Sequence, residues 1–365
     1  MSLNVKVMLE GMVKTEASDL HIKVGSPPML RIHGSLRPID HPPLAPLDTE
    51  QVVKQLLPER LIRSFEELGT ADFSYSLPGL ARFRMNAFHQ RGSMSLAVRR
   101  VNFQPPTVQE INLPPVLNTI ADANRGLVLV TGVTGSGKST TLAAMIRHIN
   151  QTRREHIITV EDPIEYLYKD EKSIINQMEI GVDTADFQTA LKHVLRQDPD
   201  IILIGEIRDR ESIKTALTAV ETGHMVFSTL HTPDAKQTLN RILHFFSKED
   251  ERLILQQLSL SLQAVICQRL IARVDGKGRV PCVEILINTP IVSKLISEGR
   301  IEEMGQIMRN READMQIFDQ SLADMVRQKW ITMEEALSYT DDEAALKRMV
   351  KGKAATGDKS AILGR

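Results

Sequence analysis

The sequence predicts an α/β chain whose second half is a parallel sheet, covered by helices on both faces and carrying a phosphate-binding turn. Three observations predict it. Four strand-length apolar runs, at Gly126–Thr131, 157–160, Ile201–Ile204 and Met225–Leu230, alternate with helix-patterned segments. Strands apolar on both faces belong in a parallel sheet flanked by helices. The first run leads straight into Gly132-Val133-Thr134-Gly135-Ser136-Gly137-Lys138-Ser139, which fits the G-x-x-x-x-G-K-[ST] pattern of a phosphate loop. Upstream, short strands and turn signals end at Pro105-Pro106 and Pro114-Pro115, which marks off a separate small α+β unit.

Composition sets the outer limits. With 365 residues, 42% of them hydrophobic, the chain can bury two cores. A net charge of −1 shows no basic excess, so no nucleic-acid partner is expected. Cys267 and Cys282 are too few for a disulfide framework or a four-thiolate metal site and read as core residues of a reducing compartment. Residues 1–10 lack the apolar core of a signal peptide, and no run approaches membrane-spanning length. A cytoplasmic location is therefore expected.

The elements follow in order. Residues 3–14 read as a helix with Val5, Met8, Leu9, Met12 and Val13 on one side. Strands at 20–24, 29–33 and 35–39 are separated by Gly25-Ser26-Pro27-Pro28 and Gly34. Pro42, Pro43 and Pro46 precede a helix at 49–57, and Arg91-Gly92 joins strands at Ala81–Gln90 and 93–101. In the second half, Leu142, Met145, Ile146 and Ile149 fall at helical spacing, as do Phe187, Ala190, Leu191 and Val194. Ile213, Ala216, Leu217 and Val220 form a third such set, closed by Gly223. Beyond Pro290 the pattern is helical, with Phe318, Leu322, Met325 and Val326 on one face. The expected domains are 1–104, a linker at 105–116, a core carrying the phosphate loop at 117–289, a helical region at 290–350 and a disordered tail at 351–365.

The phosphate loop carries the chemistry. Its glycines let backbone N–H groups turn inward around phosphate oxygens, and the following helix adds its dipole. Lys138 would reach the β- and γ-phosphates, and the Ser139 hydroxyl would hold Mg²⁺. Such a site needs an acid at the end of a neighbouring strand. Glu206, just past Ile201–Ile204, supplies one and could hold Mg²⁺ through water. A second acidic group, Glu161-Asp162-Pro163-Ile164-Glu165, follows the run at 157–160, and one of its carboxylates could direct the attacking water. His224 and His231 flank the fourth run; His231 is at its carboxyl end, where it could sense the γ-phosphate.

These segments together resemble the secretion ATPases of type IV pili, type II secretion and conjugation. The matches are GVTGSGKST at 132–140, VEDPIEY at 160–166, RQDPDIILIGEIRD at 196–209 and TGHMVFSTLHT at 222–232, which that family calls Walker A, Asp box, Walker B and His box. Ser18-Asp19-Leu20-His21 and Met315-Gln316-Ile317-Phe318-Asp319 extend the likeness to both flanks. The absence of a long extra N-terminal region and of a four-cysteine metal site points to the retraction class, PilT and PilU. The stretches 275–279 and 284–290 lean to PilU, whereas Asp198 leans to PilT. The segment Ile291-Val292-Ser293-Lys294-Leu295-Ile296 departs from the A-I-R-N-L-I of PilT proteins.

The resemblance implies a RecA-like P-loop domain with a parallel sheet, preceded by a small α+β (PAS-like) domain and followed by a helical C-terminal region. It implies Glu165 as general base, Glu206 as Walker B acid and Glu161 and Asp162 as supports. His224 and His231 become nucleotide-site residues. Gly132, Thr134, Gly135, Ser136, Gly137, Lys138, Ser139 and Thr140 become the ligands of ATP with Mg²⁺. It further implies a homo-hexamer with ATP held between subunits and approached by Arg82, Arg84 and Arg100. The partner would be an inner-membrane platform protein (PilC-like) at the pilus base, and a second retraction ATPase alongside is compatible with it. A pilus-extension or type II secretion ATPase, a RecA-type nucleic-acid translocase and a non-hydrolysing nucleotide sensor are the alternatives.

Overall fold

The structure is a computed structural model and describes residues 4–101 and 104–352. Of the tail expected at 351–365, only Lys351 and Gly352 fall among the described residues. The chain forms two compact units, Met1–Pro105 with Ile164–Tyr168, and Pro106–Pro163 with Lys169–Arg365.

The N-terminal unit contains α1 (Val5–Lys14), β1 (Asp19–Ile22), β2 (Met29–Ile32), β3 (Ser35–Pro38), α2 (Pro46–Leu56), α3 (Glu59–Leu68), β4 (Thr70–Leu77), β5 (Ala81–Gln90) and β6 (Ser93–Arg100). Its sheet runs β3-β2-β1-β6-β5-β4 and is antiparallel throughout. Leu9, Met12, Leu20, Ile22, Phe83, Met85 and Leu96 form its fully buried centre. Helix α1 buries Val5, Met8, Leu9 and Met12, and the Asn4 side chain accepts from Val7 N at 3.2 Å to cap it. Helix α2 starts earlier than residue 49. Pro46 presets the first-turn φ, and Asp48 Oδ2 accepts from Ala45 N at 2.7 Å. Helix α3 and strand β4 were not legible: α3 buries only Phe65, so it has no apolar repeat.

The second unit opens with α4 (Val116–Ala121), β7 (Gly126–Thr131), α5 (Lys138–Thr152), β8 (His156–Glu161), β9 (Ile174–Glu179), α6 (Phe187–Val194), β10 (Ile201–Ile204), α7 (Arg210–Glu221) and β11 (Met225–Leu230). It continues through α8 (Ala235–Leu243), α9 (Lys248–Ser261), β12 (Leu262–Ala272) and β13 (Arg279–Ile287). The helices α10 (Pro290–Ser297), α11 (Met304–Arg309), α12 (Phe318–Arg327), α13 (Met333–Leu337) and α14 (Glu343–Val350) complete it. The sheet order is β13-β12-β7-β11-β10-β8-β9; all neighbours pair in parallel except β13. Every residue of β7, β10 and β11 is buried, as a sheet covered on both faces requires. Thus the four expected strands become seven. Edge strand β9 is half polar, and β12 and β13 form a hairpin, so neither resembles an isolated parallel run.

Candidate active site at the phosphate loop

Parallel register places the carboxyl ends of the central strands together. Thr131 pairs with Leu230, Ser228 with Ile204 and Ile204 with Val160. Whatever follows these strands therefore shares one edge. Ser228 Oγ donates to Ile204 O and Thr229 Oγ1 to Gly205 O, both at 2.7 Å, which ties β11 to the turn that carries Glu206.

The phosphate loop leaves β7 through Gly132, at φ 142°, and enters α5 through Gly137, at φ 92°. A Cβ on Gly132 would stand 2.4 Å from Gln268 O, so only glycine fits. Lys138, 9% exposed, begins α5 and folds its amine back onto the loop. It donates to Gly132 O at 2.9 Å and Val133 O at 3.2 Å and lies 3.5 Å from His231 Nδ1. An ammonium can only donate, so Nδ1 accepts and the ring proton falls on Nε2, 3.3 Å from Glu206 Oε1. Glu206 Oε2 in turn accepts from Arg208 Nε at 2.8 Å. That bond raises the Arg208 pKa above its ordinary value, with a further pull from the Asp162 charge. Lys138, His231, Glu206 and Arg208 thus form a continuous chain of charge-assisted contacts.

Glu161 closes β8 at the same edge. Its Oε1 accepts from Thr159 Oγ1 at 2.6 Å and from Gln177 Nε2 at 3.2 Å. Asp162 follows it, exposed. In the loop, Thr134 and Gly135 are exposed, Ser136 is buried, and Ser139 and Thr140 are half-buried on the first turn of α5.

Other expected site residues lie elsewhere. His224 precedes β11 and so stands at the amino edge, the end opposite the phosphate loop. Its Nδ1 donates to Ala219 O at 2.8 Å, which closes the end of α7. Glu165 is exposed and belongs to the Ile164–Tyr168 segment of the N-terminal unit. The arginines divide between faces. Arg82 and Arg84 alternate with buried Ala81, Phe83 and Met85, which puts them on the open face of the N-terminal sheet. Arg100 pairs with buried Phe83 and is on the core side, where its Nη1 donates to Val13 O at 3.4 Å. Arg99, not Arg100, is the cross-strand neighbour of Arg84.

Three residues at the site carry no motif in the sequence, Thr159, Gln177 and Gln268; Arg208 lies within the segment 196–209 but has no role assigned there. Gln268 is the one that left a trace, as an amide 3% exposed within the apolar strand β12.

The fit to a phosphate group can be judged from the loop itself. Among the described residues, Ser136 Oγ is buried without a hydrogen-bond partner, and the Lys138 amine donates to its own loop's carbonyls. A buried hydroxyl donor and a folded-back ammonium beside a helix N-terminus suit an incoming anion. Residues 81–358 match the family described as Type II/IV secretion system protein. The chain belongs to this family. Among the secretion-family relatives, the type IV pilus ATPase PilU of Pseudomonas aeruginosa is 42% identical over 94% of this chain and 90% of its own. The type IV pilus retraction ATPase PilT of the same organism is 43% identical over 92% of this chain and 97% of its own. A crystal structure of the pilus retraction motor PilT with bound ADP superposes with a TM-score of 0.88 at 41% identity, covering 95% of this chain and 100% of that one. The fold of this secretion-family member is accordingly a RecA-like P-loop domain, behind a PAS-like α+β domain and ahead of a helical C-terminal region. Among the described residues, no helix is long and apolar enough to cross a membrane.

Proposed function

We propose that this chain is a motor ATPase that hydrolyses ATP to power retraction of type IV pili. The observation that carries the reading is the run of contacts from Lys138 through His231 to Glu206 at the carboxyl edge of the sheet. It supports a site in which the residue that holds phosphate and the residue that holds metal and water respond to one another.

Binding of ATP draws the Lys138 amine off the carbonyls of Gly132 and Val133 onto the β- and γ-phosphates, while the loop amides of 132–140 and the Ser136 hydroxyl donate to phosphate oxygens. Ser139 and Glu206 would hold Mg²⁺, which would offset negative charge on the triphosphate. Once Lys138 leaves it, His231 keeps its Nε2 contact with Glu206 and so stays at the phosphate end of the sheet edge. Glu161, with Asp162 beside it, supports the metal side of the site. Glu165 is the general base that orients and deprotonates water, and Arg82 and Arg84 supply positive charge to the γ-phosphoryl group in an assembled homo-hexamer. Arg100 would need to leave the carbonyl of Val13 to join them. Loss of γ-phosphate removes these attractions, and the energy of their loss is available for mechanical work. The work is delivered at the inner-membrane base of the pilus, to a platform protein.

The test is deletion of the gene, scored for surface pili and twitching. Retraction predicts excess, immobile pili, restored to normal by the wild-type gene and left in excess by Glu165→Gln. Bald cells would assign the chain to extension instead.

A further inference from the structure

Gln268 lies in β12, one residue past Cys267, which pairs with Thr131 at the end of β7. The strand therefore continues alongside the phosphate loop just where β7 gives way to it. The Gln268 side chain is almost fully enclosed, at 3% exposure for the residue. Its Oε1 accepts from Thr141 Oγ1 at 2.6 Å, in the first turn of α5. Its Nε2 donates to Ser136 O at 2.8 Å, at the far end of the loop. One amide thus joins the loop to the helix that follows. The two flanking glycines are shaped around it. A Cβ on Gly132 would fall 2.4 Å from Gln268 O, and one on Gly137 would fall 2.7 Å from Gln268 Nε2.

We infer that Gln268 is a positioning residue that presets the phosphate loop for nucleotide. The Ser136–Gly137 peptide is trans, since the cis bond among the described residues is Asp162-Pro163. In a planar trans peptide the C=O and the following N–H point in opposite directions. With the Ser136 carbonyl drawn back onto Gln268 Nε2, the Gly137 N–H is aimed away from Gln268. Amides turned to one side of a loop are what a phosphate requires. The bond to Thr141 fixes the register of the α5 N-terminus against the same anchor, so loop amides and helix dipole are held together before ligand arrives. Both polar atoms of the Gln268 amide are engaged by Thr141 and Ser136, so it would act through the loop and the helix. Its effect is on how many loop conformations must be given up when nucleotide binds.

This inference rests on the nucleotide reading of the loop. The test compares the full-length chain with Gln268→Met, which keeps side-chain bulk and loses both hydrogen bonds, and with Thr141→Val, which loses only one. The readouts are affinity for a fluorescent ADP analogue with Mg²⁺, and KM and kcat for ATP. Gln268→Met should weaken binding and raise KM roughly tenfold, as expected for a buried bond lost with its partner left unsatisfied, with kcat changed far less. Thr141→Val should show a smaller loss in the same direction. Wild-type affinity and KM in folded Gln268→Met would overturn the inference, leaving Gln268 as packing alone. If Gln268→Met does not fold, wild-type affinity in Thr141→Val would overturn it. No nucleotide binding by the unsubstituted chain would instead refute the reading of the loop itself.

Discussion

The two sheets of this chain deal with charge in opposite ways. The antiparallel sheet of the N-terminal unit spreads charge across one face. Arg84 is opposite Arg99, Arg99 opposite Asp19, and Asp19 opposite Arg31, so the four share a row. Asp19 Oδ1 accepts from Arg99 Nε at 2.9 Å, and Arg31 Nε is 3.6 Å from its other oxygen. The parallel sheet admits no such row. Its central strands β7, β8, β10 and β11 carry charge only where they end, at Lys138, Glu161, Asp162 and Glu206. An antiparallel sheet with one face open to water can place a charge at every second residue, whereas a doubly covered sheet is open only at its edges. The first arrangement makes a charged surface; the second makes charges converge, and convergence is what a reaction needs.

The comparison breaks most sharply at Lys138. Lys138→Ala should reduce ATP hydrolysis roughly a hundredfold or more, as loss of a cation from a developing phosphoryl charge does. Far-UV circular dichroism should stay unchanged, because the amine's contacts with Gly132, Val133 and His231 lie at the loop and the strand edge rather than in the core. Phosphate release near the wild-type rate would mean that the edge is not a reaction site.

A second test concerns an acid that lies within a strand of the same sheet rather than at its end. Glu284, in β13, accepts from Ala235 N at 2.9 Å at the start of α8, and burial pushes its carboxyl from 4.5 up to about 7. An acid whose folded pKa is raised costs nothing below about pH 4.5; the cost grows through the window up to about 7 and is full above it. Glu284→Gln keeps the acceptor and removes the charge. It should be more stable than wild type by about 1–2 kcal/mol at pH 8, and the gain should shrink towards pH 5. Denaturant titrations at the two pH values decide it, and a gain independent of pH would mean that ionisation is not the cause.

The smallest effect is expected on the charged row. Burial alone would raise the Asp19 pKa, but hydrogen bonds from Ser18 and Arg99, with the Arg99 charge, outweigh it and hold the carboxyl below its ordinary value. Its contribution is therefore present above the unfolded pKa and lost as pH falls through the folded one. Asp19→Asn should cost about 1 kcal/mol at neutral pH, seen as a lower denaturant midpoint, while ATP turnover per folded chain is unaffected. A loss of turnover larger than the loss of stability would make the row part of the reaction site.

Much of this is legible in the sequence. The phosphate loop could be read because its glycines, lysine and serine are contiguous, and the four buried strands because both faces of each are apolar. Helix α3 could not, since one buried Phe65 leaves no periodicity. Nor could β12, β13 or the role of Gln268, because a glutamine in an apolar strand looks the same whether it packs idly or grips a loop. His231 is legible as the residue at the carboxyl end of the fourth run, while the resemblance makes both histidines nucleotide-site residues; the direction of β11 sends His231 to the phosphate loop and His224 to the opposite edge.

By itself the sequence determined the chemistry that is local: which turn can cradle phosphate, which strands must be buried, which acids end them. Only the tertiary structure decided which of these groups meet. It joined Lys138 to Glu206 through His231, drew Gln268 under the loop, and put Glu165 and the arginines on another unit. The physical reason is that backbone conformation and burial are set by neighbours in the chain, whereas hydrogen bonds between side chains depend on strand order and register, which are settled only when the whole sheet assembles.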